Sequence, residues 1–110
     1  METIEFLVQG SATEPYQVTF VRNGRQFSAF CTCAAGENGQ ICKHRLSILD
    51  GISKGVISSN TDQVITVAGW LPGSDVEAAM QEVSRVEAEF ERAKKLLSIA
   101  KKKVAAVMRA

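Results

Sequence analysis

The sequence predicts an α+β fold, and three observations carry that prediction. A β-prone ribbon surrounds Asn23-Gly24 and is preceded by another β-prone run, all three cysteines and the only histidine gather just beyond it, and no Gly or Pro interrupts the chain after Ser74. The expected architecture is a small three-stranded antiparallel sheet, a short helix tied to it through the cysteine cluster, a second short helix and a long C-terminal helix. Residues 1–71 form the α+β domain in this division, and residues 72–110 the long helix.

The opening Ile4-Glu5-Phe6-Leu7-Val8 is apolar and β-prone until Gly10-Ser11 breaks it, which predicts a strand over Thr3 to Gln9. Residues 11–15 then form a loop. In YQVTFVRNGRQFSAFCTC two β-rich runs flank Asn23-Gly24, a pair that tolerates positive φ and is a strong hairpin signal. A two-residue turn there sets Arg22 opposite Arg25, Phe20 opposite Phe27 and Val18 opposite Ala29 on the core-facing side, with Val21, Thr19, Gln26 and Ser28 on the other.

His44 to Leu49 predicts a short helix stopped by Asp50-Gly51, and residues 51–61 a loop. Between Thr61 and Leu71, Val64, Val67, Ala68 and Leu71 share a helical face, so a second short helix is favoured despite the β-branched residues. After Pro72-Gly73, Ser74 and Glu77 fit a capping box, with Ser74 as N-cap. One helix of about 34 residues, roughly 50 Å long, is expected from there.

A chain of 110 residues with 45% hydrophobic content suits one domain with an appendage. No apolar run reaches the roughly 18 residues that span a bilayer, and the acidic start METIEF does not resemble a secretory signal; the expectation is a cytoplasmic protein without membrane contact. Three cysteines cannot all pair internally, and a reducing compartment disfavours disulfides, so metal binding is the better expectation. The net charge of +1 excludes a globally basic nucleic-acid binder.

Cys31, Cys33, Cys42 and His44 have the spacing C-x-C-x8-C-x-H. Tetrahedral zinc with Zn–S near 2.3 Å requires sulfurs about 3.8 Å apart. Cys31 and Cys33 point to one face of a strand, about 6.6 Å apart if fully extended, so a bend at Ala34-Ala35-Gly36 is needed to close the gap. Cys42 then sits just before the helix and His44 in its first turn. Three thiolates against Zn²⁺ leave about −1 of charge, which suits a helix N-terminus with Lys43 and Arg45 beside it. Four protein ligands make a closed structural site with one zinc per chain. Competing readings are cysteines packed as small hydrophobes, a cysteine–histidine nucleophile that lacks a pocket, and an iron–sulfur cluster, which normally uses four cysteines.

The pattern CTC followed by CKH, after a hairpin and before an apolar helix, resembles the SWIM-type zinc finger over roughly Tyr16 to Leu49. All four ligand positions match. The resemblance implies zinc, and an accessory module that binds DNA or protein, as in Swi/Snf-type helicases, Mutator-type transposases and some kinases.

Around the finger, residues 16–60 hold Arg22, Arg25, Lys43, Arg45 and Lys54 against only Glu37 and Asp50. Two guanidinium groups at the hairpin tip suit phosphate contact, although charged residues also decorate solvated turns. Phe27 and Phe30 suit the core better than base stacking. In the long helix, Val76, Val83, Phe90, Leu97 and Val104 recur every seven residues, and Ala79, Val86, Ala93, Ala100 and Val107 follow each by three. Acidic residues crowd its first half and basic ones its second, a division that fits the helix dipole and an antiparallel pair. The alternative is a helix folded back on its own sheet. The favoured function is a non-catalytic zinc-binding module, with no small-molecule substrate. It engages a protein partner or a second copy through Val83, Val86, Phe90, Ala93, Leu97, Ala100 and Val104. The second is DNA binding through Arg22, Arg25, Lys43 and Arg45, together with Lys101 to Lys103.

Overall fold

A computed structural model describes residues 1–109. In chain order the elements are β1 (Glu2–Val8), β2 (Tyr16–Asn23), β3 (Gln26–Cys31), α1 (Ala34–Glu37), α2 (Lys43–Leu49), α3 (Gln63–Ala68) and α4 (Asp75–Arg109). The strands form one antiparallel sheet in the order β1-β2-β3. Fold class and element order are those expected from the sequence, with α1 as an addition.

The sheet alternates as a half-buried sheet should. Ile4, Phe6 and Val8 of β1, Val18 and Phe20 of β2, and Phe27 and Cys31 of β3 are buried, and Ile48, Leu49, Val64 and Val67 of α2 and α3 join them in the core. Phe6 and Phe20 meet edge to face, with ring centroids 6.1 Å apart. At the hairpin end of the sheet Trp70 is buried beside Phe27, and the Arg22 guanidinium lies 5.7 Å from the Trp70 ring centroid.

The hairpin register differs from expectation by two residues. Asn23 pairs with Gln26, Arg22 with Phe27, Phe20 with Ala29 and Val18 with Cys31. Gly24 and Arg25 are therefore the turn residues, and Gly24 alone has positive φ, at +67°. A turn with positive φ only at its first central position needs glycine there, whereas an Asn23-Gly24 turn needs positive φ at both residues. Because strand side chains repeat every two residues, the slip leaves each residue on its expected face. It does remove the Arg22–Arg25 pair. Phe30 also departs from expectation: it lies opposite Thr19 on the outer face and is 60% exposed.

Both sheet edges are occupied. Along β1, Gln9 N–H donates to Gly55 O (2.8 Å), Ile57 N–H to Leu7 O (2.8 Å), Leu7 N–H to Ser58 Oγ (3.2 Å) and Asn60 Nδ2 to Glu5 O (2.8 Å). The stretch expected as a loop is a loop that lies along the β1 edge, where a single isolated bridge joins Val8 and Val56. On β3, the carbonyl of Ala29 accepts from Arg45 Nη1 at 3.0 Å.

The chain divides into two compact units, Met1–Glu77 and the residues from Ala78 onward. Ser74 caps α4: its Oγ accepts from Glu77 N–H at 3.0 Å. The reciprocal bond of the expected capping box is displaced by one residue, since Glu77 Oε1 accepts from Gly73 N–H (3.1 Å), while Ser74 N–H donates to Leu71 O (3.0 Å). Val76 packs against the core of the first unit. From Gln81 to Arg109 every residue of α4 is exposed.

Candidate metal centre

The site is assembled by the end of β3, α1 and the start of α2. Cys31 is the last residue of β3, and Cys33 is the N-cap of α1, its Sγ accepting from Gly36 N–H at 3.3 Å. This single helical turn is the bend that brings two strand-spaced thiols to one point. It requires a glycine: a Cβ on Gly36 would lie 2.3 Å from the carbonyl oxygen of Cys31 and 2.9 Å from its Cβ. The bend lies where the ligand spacing requires it, at Ala34-Ala35-Gly36, and takes the form of a helical turn over Ala34–Glu37.

Cys42 occupies the N-cap position of α2 with extended backbone (φ −127°, ψ 149°), and His44 stands in the first turn, as the spacing predicts. His44 Nδ1 lies 3.7 Å from Cys31 Sγ, and the ring is tilted against Tyr16 with centroids 4.8 Å apart. Its Nε2 faces Gly10, where an added Cβ would come within 3.3 Å. The outer part of His44 lines a cleft of about 410 Å³ together with Val8, Ser47, Ile48, Lys54 and Val56.

All four ligand atoms lie within 4.8 Å of one another, and Cys31, Cys33 and Cys42 are buried. The three cysteines are free. A tetrahedral zinc site has ligand–ligand edges of about 3.8 Å, so the group closes on the ion with a contraction of no more than about 1 Å. Three soft thiolates and an imidazole, with no carboxylate among them, also suit zinc far better than calcium or magnesium.

Arg45 completes the site from outside the ligand set. Its Nε donates to Cys42 Sγ at 3.1 Å, Nη1 to Ala29 O at 3.0 Å, and Nη2 to Gln40 O. The guanidinium fork thereby ties β3, the α1–α2 connection and a ligand sulfur together. Sequence reasoning saw the charge of Arg45 but not this fork, because only the fold brings Ala29 and Gln40 to it.

The thiols differ in acidity. Burial pushes the Cys31 thiol up to about 12, the N–H of Cys33 opposing and the side chains of Cys33 and Cys42 adding to the rise. Burial acts on Cys42 in the same direction, but the backbone N–H and guanidinium of Arg45, with Cys33, outweigh it and bring that thiol below its ordinary value. His44 is held below the usual imidazole range, first by burial and then by Lys43, which keeps it in the neutral form that a metal requires.

Of the four arginine and lysine positions singled out from sequence, the structure does not form one patch. Arg25 and Lys43 are exposed. Arg22 is half-buried over Trp70, 3.5 Å from a carboxylate oxygen of Glu2, and Arg45 is engaged in the metal site. Of the helix positions, Val83, Val86, Phe90, Ala93, Leu97, Ala100 and Val104 are all exposed along α4.

A Cys₃His cluster joining the end of a hairpin to the start of a helix defines a small zinc-finger module. Residues 6–50 match the family model of the SWIM zinc finger, and Cys31, Cys33, Cys42 and His44 fill its C-x-C-x8-C-x-H motif. The match begins at Phe6 and so takes in the last three residues of β1 as well as the hairpin. No curated protein and no solved structure matches the chain. No helix among the described residues is long and apolar enough to cross a membrane.

Proposed function

We propose that this chain is a non-catalytic adaptor in which one structural zinc per chain holds the SWIM finger together and α4 engages a protein partner or a second copy. The zinc part rests on four protein donors, which fill a tetrahedral ion and leave it no position for substrate. The adaptor part rests on one observation: Val83, Phe90, Leu97 and Val104, seven residues apart, and Val86, three after Val83, are 42–62% exposed. Contiguous apolar surface of that kind on a soluble protein marks an interaction face.

The test uses the full chain. Metal analysis of protein purified without added metal gives about one zinc per chain, lost in Cys31→Ser and Cys42→Ser. Leu97→Asp retains zinc and loses the association, whether with itself or with a purified partner. Retained association in Leu97→Asp overturns the adaptor reading, and a folded metal-free chain with unchanged melting overturns the zinc reading.

A second reading, nucleic-acid binding, is supported by the exposure of Arg25 at the hairpin tip and of Lys43 at the start of α2. Affinity from phosphate contacts falls steeply between low and physiological salt, whereas an apolar helix interface does not respond in that way.

A further inference from the structure

We propose that the occupant of the α4 seam is a second copy of this chain, running antiparallel in one defined register. This rests on the reading of α4 as an interaction helix and goes further by naming the partner, the orientation and the pairs.

The register follows from size and charge together. Align two α4 helices antiparallel so that Phe90 of one faces Ala93 of the other. Val86 then faces Leu97, Val83 faces Ala100 and Ala79 faces Val104. Three of these four layers set a large residue against an alanine, which lets two helices close without voids. The overlap runs from Ala79 to Val104, roughly 39 Å at 1.5 Å per residue, and stops short of Val76, which already packs against the core of its own chain.

The residues flanking the seam agree. In this alignment Glu87 of each copy meets Lys94 of the other, and Glu82 meets Lys103, so every flanking charge pair is of opposite sign. Sliding one helix by a heptad in one direction brings Lys94 against Lys94; sliding it the other way brings Glu87 against Glu87 and Glu89 against Glu89. A parallel pair fares worse on both counts. It sets Glu82 against Glu87 across the seam, stacks Phe90 on Phe90, and faces alanine with alanine at 79, 93 and 100. Orientation and register are thus both selected by the same helix.

Glu87 and Lys94 are the pair to exchange, because Glu82 is held at hydrogen-bond distance by Arg85 in its own helix, whereas Lys94 makes only a long contact of 3.8 Å with Glu91. On zinc-loaded full-length protein, sedimentation equilibrium shows a dimer. Glu87→Lys alone and Lys94→Glu alone each weaken it by roughly tenfold, since each places like charges at two sites. Mixing the two variants restores a dimer of wild-type strength, because every 87–94 pair is then Lys with Glu. Changes to the individual helices cancel between mixed and unmixed samples. In a parallel pair, 87 meets Glu82 and 94 meets Glu89, and mixing gains nothing. A mixture no tighter than the average of its components overturns the proposal, as does a zinc-loaded wild type that stays monomeric at the highest attainable concentration. A monomer of that kind, with Leu97→Asp still abolishing capture by a different purified protein, overturns the self-pairing alone and leaves the adaptor reading standing.

Discussion

The guanidinium of Arg45 donates through Nε to the Sγ of Cys42 at 3.1 Å while its other two nitrogens hold carbonyls of Ala29 and Gln40. One side chain thus lowers the proton affinity of a ligand sulfur and ties β3 to the connection that leads into Cys42. Replacing Arg45 by Met keeps the chain folded and lowers zinc affinity by about ten- to a hundredfold, the usual weight of an outer-shell partner. Lysine, with a single point charge in place of a planar fork, recovers little of it. Competition against a chromogenic chelator measures both variants.

Gly36→Ala strikes the same site sterically. With its new Cβ at 2.3 Å from the Cys31 carbonyl oxygen, the turn of α1 has to open and carry Cys33 away from the other ligands. Thermal melting is expected to show a loss of about 2 kcal/mol or more, with weakened zinc retention. Gly39→Ala is the control: its φ of +72° is strained for alanine but nothing lies within 4 Å, so a loss of about 1 kcal/mol with zinc retained is expected.

Zinc uptake releases protons, because Cys31, pushed up to about 12, carries its proton at neutral pH until the metal displaces it. Affinity therefore rises with pH across the neutral range, as chelator competition at several pH values will show. Metal-free protein has the opposite slope. The folded-state pKa of Cys31 lies above its ordinary value of 9.0, so its contribution to stability is full below about 9 and declines as pH rises toward 12.

Trp70, the one tryptophan, reports on how far the zinc site holds the domain. It is 7% exposed beside Phe27 at the hairpin end of the sheet, opposite the end where Cys31 lies. If the domain folds as one cooperative unit with its metal, chelation shifts Trp70 emission to the red in the same transition that abolishes the far-ultraviolet signal of the sheet. Unshifted emission in the chelated protein means that the core persists without zinc.

Much of the fold was legible because local signals and the core agreed. The ligand spacing placed Cys42 before a helix and His44 in its first turn, and Phe6, Val18, Phe20 and Phe27 sit on the inner face that period-two alternation predicts. The hairpin register was lost on one fact: which of Asn23 and Gly24 takes the first central position depends on the turn type, and either choice leaves Phe20 and Phe27 facing the core. Phe30 was misjudged from its residue type, although its parity with Thr19 already assigned it to the outer face. The Arg45 fork and the pairing of residues 55–60 with β1 depend on contacts between segments remote in sequence, which no local pattern encodes. The first bears directly on the site by holding Cys42, and the second covers the β1 edge of the sheet.

That closure has a consequence for handling the protein. With Leu7 and Gln9 already donating to Ser58 and Gly55, β1 offers little backbone for a foreign strand to grip. Should the 55–60 segment detach, as through loss of the Asn60 bond to Glu5, the apolar run Ile4 to Val8 becomes a bare template for intermolecular β-pairing. An Asn60→Ala chain is then expected to form thioflavin-positive aggregates on storage, while the chain still in solution keeps its zinc affinity and the helicity of α4.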